Sequence, residues 1–155
     1  MRLSRQYNAR RILAVVIPVL VALAFIAFRI VAHNQIPLDE VRLVRVSDGD
    51  TVVVEDSRGM QIKVRMIGVD APELGTAASF RSALFAAEMC ERAVSIKIEP
   101  ETTRGMDKYG RTLGWVWLQM PDGRRLLLNE EMIGNGHAKL YRDTNKSVKY
   151  YDRLR

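Results

Sequence analysis

Five side chains in this 155-residue sequence could do chemistry together, Asp50, Arg65, Asp70, Glu73 and Arg111, with Tyr141 a further candidate. They fall in four short segments, SDGDT (47–51), VRMIGVDAPE (64–73), DKYGR (107–111) and KLYR (139–142). Asp50 and Asp70, each at the end of a strand-like run, can bind a hard divalent cation through oxygen, which suits Ca²⁺ or Mg²⁺ better than Zn²⁺. No histidine cluster points to a softer metal, because His33 and His137 each stand alone. Arg65 and Arg111 can grip a phosphate and stabilise charge building on its oxygens. Glu73, near such a metal, can orient or deprotonate water. Metal, base and paired guanidiniums are the components for hydrolysing a phosphodiester. Taken singly, each segment also has an ordinary explanation. Asp-Gly is a common turn pair, Arg65 could be solvated, Asp70 could open a turn, Glu73 could be exposed, and Tyr141 could simply pack.

The elements that must position these groups are short. Val41–Val46 and Thr51–Glu55 read as strands flanking the SDGD turn, with a second turn at Asp56–Gly59. Met60, Ile62, Val64 and Met66 alternate with Gln61, Lys63 and Arg65, the period of a half-buried strand. Thr76–Val94 reads as one amphipathic helix carrying Phe80, Leu84, Phe85, Ala87 and Met89 at helical spacings. Val94–Ile98 and Leu113–Leu118 return to strand, and Pro121-Asp122-Gly123 turns into Arg125–Leu128. Asn129 is placed to cap the short helix NEEMIGNG, ended by Gly134 or Gly136. A further helix is expected from Lys146 to Arg155. Short strands interrupted by one helix and followed by others predict a small barrel with helices packed against it.

The order SDGDT, VRMIGVDAPE, DKYGR at these separations resembles the staphylococcal nuclease (thermonuclease) family, over roughly Pro37 to Arg155. The resemblance implies an α+β, mainly β fold: a five-stranded OB-fold barrel with two to three packed helices. It implies hydrolysis of DNA and RNA with Ca²⁺, water attacking phosphorus to leave 3′-phosphate ends. By position, Asp50 and Asp70 resemble the calcium carboxylates and the Ala71 carbonyl a third ligand. Arg65 and Arg111 resemble the phosphate-binding arginines, and Glu73 the proposed general base. Lys108 and Tyr109 match positions lining the nucleotide pocket, Tyr141 matches more loosely, and Asp48 is similar to a supporting aspartate. Family members usually continue some fifteen residues further, so the last helix is expected to be short here.

The formal charge of +6 is unevenly placed. Five of the 24 basic residues (Arg2, Arg5, Arg10, Arg11, Arg29) precede the first acidic one, Asp39, leaving 19 against 18 acidic groups and a net of +1. The high pI is therefore weak support for a polyanion partner. The single cysteine, Cys90, excludes an internal disulfide and is expected to pack on a helix as a small apolar group. The expected organisation is a basic cytoplasmic N-terminus (1–11), a transmembrane anchor or signal segment (12–32), a linker (33–38) and the OB-fold domain (39–155). The apolar run Ile12–Phe28, extended by Ile30–Ala32, is long enough to cross a core of about 30 Å. The arginines before it orient the remainder outward, periplasmic or extracellular; cleavage after Ala22-Leu23-Ala24 is the alternative and would secrete the domain. A monomer is expected. The competing function is a catalytically inactive, membrane-tethered OB-fold module that binds nucleic acid or a protein. The presence of all of Asp50, Arg65, Asp70, Glu73 and Arg111 favours the enzyme.

Overall fold

A computed structural model describes residues 16–25, 40–101, 105–141 and 149–154. The chain divides into two units, residues 1–35 and 36–155. In the first, residues 16–25 form a helix, α1, with exposed side chains. No helix among the described residues is long and apolar enough to cross a membrane. The rest of the expected anchor and the whole 33–38 linker lie outside the described residues.

The second unit is a mainly β domain. Its strands are β1 (Glu40–Asp48), β2 (Thr51–Glu55), β3 (Gln61–Met66), β4 (Val69–Asp70), β5 (Ser95–Pro100), β6 (Thr112–Gln119), β7 (Arg125–Leu127) and β8 (Lys139–Leu140). The large sheet runs β3-β2-β1-β5-β6-β7, and a parallel pairing of β3 with β6 closes five of these strands into a barrel. Two irregularities in β1, between Leu43 and Arg45 and between Val46 and Asp48, break its register with β2. Such bulges bend and re-aim a strand, and the second lies directly before the Asp48–Asp50 turn. β4 and β8 pair separately, Val69 with Leu140 and Asp70 with Lys139.

The period-2 expectation holds within β3, where Val64 and Met66 are buried, Ile62 is half-buried and Gln61 and Lys63 are exposed; Met60 falls before the strand and is exposed. Inside the barrel Val52, Val54, Val64, Met66, Ile98, Val116 and Leu118 pack with Ala86, Met89 and Cys90 of α2 (Ala77–Arg92) and Met132 of α3 (Leu128–Gly134). Cys90 is buried as expected, and burial pushes its thiol up to about 12. A second apolar cluster of Ile67, Trp115, Trp117 and Leu127 is covered by Leu154, from a 3-10 turn at Tyr151–Leu154. That turn lies within the helix expected over 146–155; residues 146–148 and 155 lie outside the described residues.

α2 starts where Thr76 caps it. The Thr76 hydroxyl accepts from Ser79 N–H at 3.0 Å, and the Ser79 hydroxyl accepts from Thr76 N–H at 3.2 Å. The buried face differs from the one predicted. Phe80 and Leu84 are 69% and 47% exposed, whereas Ser79, Ser82, Ala86, Met89 and Cys90 are buried. The reason is close approach. A Cβ on Gly49 would sit 1.8 Å from Ser82 Oγ, so only small residues on α2 can lie against the β1–β2 turn.

Asn129 also departs from expectation. It does not cap α3, whose N-cap is Leu127 without a side-chain hydrogen bond. Instead its wholly buried amide accepts from Val116 N–H at 3.0 Å and donates to the Ile67 carbonyl at 2.9 Å, cross-linking β6 to the β3–β4 turn. Asn129→Leu would leave two buried backbone groups without partners, at about 1–3 kcal/mol each. Urea unfolding should show that loss, with the slope against urea unchanged.

Candidate active site

The site grows from the β1–β2 turn. Asp48 accepts the Asp50 N–H at 3.1 Å and so fixes the turn around Gly49. Asp50 then distributes its two oxygens. Oδ1 accepts from the Thr51 hydroxyl at 3.0 Å; Oδ2 accepts from Ala71 N–H at 3.3 Å and faces Arg65 Nη1 at 2.7 Å. The β2–β3 register sets Arg65 opposite Thr51, and Met66 N–H donates to the Asp50 carbonyl at 2.8 Å, so the strand pairing itself delivers the guanidinium. Both partners are mostly covered, with side chains 19% and 13% exposed. Burial first, and the Asp48 carboxylate second, push the Asp50 carboxyl up to about 6 against the opposing pull of Arg65.

The second arginine arrives through barrel closure. Parallel pairing of Val64 with Thr112 places the start of β6 beside β3. Asp107 organises the preceding loop, its Oδ1 accepting from the N–H groups of Tyr109 and Arg111 at 2.9 Å and its Oδ2 pairing with Arg111 Nε at 2.7 Å. Burial raises the Asp107 pKa, but those hydrogen bonds and the Arg111 charge outweigh it and hold the carboxyl below its ordinary value. Arg111 Nη1 donates to Thr51 Oγ1 at 3.2 Å. The buried Thr51 hydroxyl thus receives Arg111 and donates to Asp50.

Asp70, Ala71, Pro72 and Glu73 line an open cleft of about 390 Å³, faced by Gly136, His137, Ala138 and Lys139. Ala71 belongs to both halves of the site, its N–H directed at Asp50 and its other side lining the cleft. The exposed ring of Tyr109 lies 4.9 Å from Lys108 Nζ and 5.4 Å from Arg111 Cζ, measured to its centroid. Tyr141 is held by its backbone, its N–H on the Gly68 carbonyl at 2.9 Å and its carbonyl on Tyr151 OH at 3.2 Å. Its ring is exposed, and among the described residues no hydrogen bond or ring contact joins it to the others.

The structure therefore brings Asp48, Asp50, Arg65, Ala71 and Arg111 into one connected network, sets Lys108 and Tyr109 at its edge, and puts Asp70 and Glu73 in the adjoining cleft. Thr51, Asp107 and the His137–Lys139 wall were not singled out from the sequence, although Thr51 and Asp107 lie inside the quoted segments. Nothing local marks them: their importance comes from contacts made across the barrel.

Among the described residues no group of three or more His, Cys, Asp or Glu gathers as a metal cluster. The donors proposed here, two carboxylates and a backbone carbonyl, do not need one. They fit a hard dication, because the set is all oxygen.

Comparison with known proteins agrees with this geometry. The chain is 38% identical over 104 residues to a micrococcal nuclease of Shigella flexneri, a match covering 64% of this chain and 57% of that protein. It is 33% identical over 122 residues to a thermonuclease of Staphylococcus hyicus, covering 73% and 65%. An uncharacterized endonuclease of Escherichia coli matches at 36% over 104 residues, covering 67% and 62%. These matches span less than two thirds of each relative's length. Residues 63–155, from β3 to the final turn, match the family described as staphylococcal nuclease homologue. With that match over more than half of its length, and with this barrel, the chain belongs to the staphylococcal nuclease family.

Proposed function

We propose that this chain is a nuclease that hydrolyses the phosphodiester backbone of DNA and RNA with the help of Ca²⁺. The observation that carries the reading is the network centred on Asp50. It gathers two guanidiniums and the Ala71 backbone around that carboxylate, from three separate sequence segments, beside a cleft lined by Asp70 and Glu73.

Arg65 commits Nη1 to Asp50, which leaves its other guanidinium N–H groups to donate to a phosphate. Arg111 is aimed in the same way, with Nε held by Asp107 and Nη1 by Thr51. Fixed donors of this kind stabilise the charge that builds on phosphoryl oxygens without reorganising during the reaction. Glu73 takes a proton from the attacking water, which displaces the 5′-oxygen in line; the departing 5′-oxygen takes up a proton from solvent, Glu73 releases its own to solvent, and a 3′-phosphate end is left. Lys108 and Tyr109 bound the nucleotide on the exposed side. Ca²⁺, when bound by Asp50, Asp70 and the Ala71 carbonyl, would supply charge neutralisation and help to place the water.

We extend the proposal to location. Residues 12–32 anchor the chain in a membrane with the domain on the outer side, and the domain acts as a monomer. Protease added to intact spheroplasts should digest residues 39–155; full protection would place the domain inside.

For catalysis, Arg65→Ala and Arg111→Ala should each fold and lose about 10²–10³ in turnover on plasmid DNA, and a chelator should abolish cutting by the parent. Turnover close to the parent's in either variant would misplace the site. Retention on DNA without cutting, with Ca²⁺ present, is the result that the inactive-module reading requires.

A further inference from the structure

The outer face of the barrel carries a second cleft, of about 490 Å³, lined by Lys97, Glu99, Trp117, Arg125, Lys149 and Tyr150 together with Gln119. Its charges are not balanced. Glu99 is fully engaged: it pairs with Lys149, accepts from Trp117 Nε1 at 3.0 Å and accepts from Tyr150 OH at 3.1 Å. Lys97 and Arg125 have no carboxylate partner among the described residues. Arg125 is held in place nonetheless, its Cζ 4.3 Å from the Trp117 ring centroid. Two cations thus stand exposed at a concave surface on a domain whose overall charge is close to neutral.

Strand geometry sets the spacing. Lys97 of β5 pairs with Trp117 of β6, and Arg125 of β7 pairs with Gln119 of β6. The two cations are therefore separated by two strand spacings, about 10 Å across the sheet. Alternation puts Trp117 and Gln119 on the same side of β6 as Arg111, the residue just before its first position. Six residues along that strand span about 20 Å. Single-strand sites on OB folds take about 4–16 nucleotides, enough to reach from one point to the other.

We propose that this cleft binds the phosphodiester backbone of the substrate strand away from the bond being cut, with Lys97 and Arg125 each contacting a phosphate. The inference deepens the nuclease reading and rests on nucleic acid being the substrate. The rings in the cleft are occupied by Arg125, Glu99 and each other, Trp117 and Tyr150 meeting edge to face at 5.4 Å, so they hold cations in place and leave base stacking to Tyr109. The cleft therefore contributes affinity without base preference, and it acts on long substrates alone.

The test measures binding of the full chain to labelled oligothymidylates of about 4 and about 16 nucleotides with a chelator present, so that nothing is cut. Lys97→Gln/Arg125→Gln should weaken the long oligonucleotide about tenfold and lower the slope of log K against log salt by about 1.4, with thermal unfolding unchanged. Lys97→Gln/Arg125→Lys should recover part of the loss. Parent-like affinity and slope in the double glutamine variant, or a parent that does not bind the long oligonucleotide, would overturn the proposal. Cleavage assayed separately with Ca²⁺ tells the two readings apart. A parent that binds without cutting sinks the nuclease assignment and leaves the cleft standing; a double variant that cuts and binds long strands as the parent does sinks only the cleft.

Discussion

The rest of the site depends on one carboxylate that is difficult to bury. Asp50 is taken out of water at the end of a tight turn, beside a second aspartate, and it stays in place because the fold surrounds it with donors. The Arg65 guanidinium, the Ala71 N–H and the Thr51 hydroxyl come from β3, the segment after β4 and the start of β2. Removing one partner of a buried pair strands the other charge, at about 3–5 kcal/mol for full burial and less for this partly covered one. Barrel closure and the site therefore support each other. The parallel β3–β6 pairing that seals the barrel also brings Arg111 to Thr51.

Much of this was legible in the sequence because it is local. Asp-Gly in SDGDT marks the turn, the alternation up to Met66 marks β3, and the apolar residues at helical spacings after Thr76 mark α2, which the structure starts with a capping box between Thr76 and Ser79. The three motifs in order carried the resemblance; Asp48, Asp50, Arg65 and Arg111 meet in one network, while Asp70 and Glu73 line the cleft beside it. What stayed hidden was long-range. The face of α2 could not be read from hydrophobicity, since Ser82 is buried for its small size against Gly49 while Phe80 faces outward. Asn129 looked like a cap because its neighbours form a helix, yet its partners are Val116 and Ile67. β4 and β8, two residues each, are too short to leave a periodic signal, and they set the Lys139 wall opposite Asp70.

The division of labour follows from this arrangement. Groups that must not move are held by buried or hydrogen-bonded neighbours: Asp50 by the turn, Arg111 by Asp107. Asp70, Glu73 and Tyr109, by contrast, are left exposed to solvent. Residues 30–155 carry a nearly balanced charge, so under the proposed function a polyanionic substrate would be held by local contacts rather than by long-range attraction.

Calcium titration calorimetry on the parent chain and on Asp50→Asn addresses the central claim most directly, because it tests for the proposed ion at the buried carboxylate without relying on turnover. The account predicts one saturable site in the parent and an affinity lower by about tenfold or more in the variant, with the fold kept. Equal calcium affinity in the two proteins would contradict it.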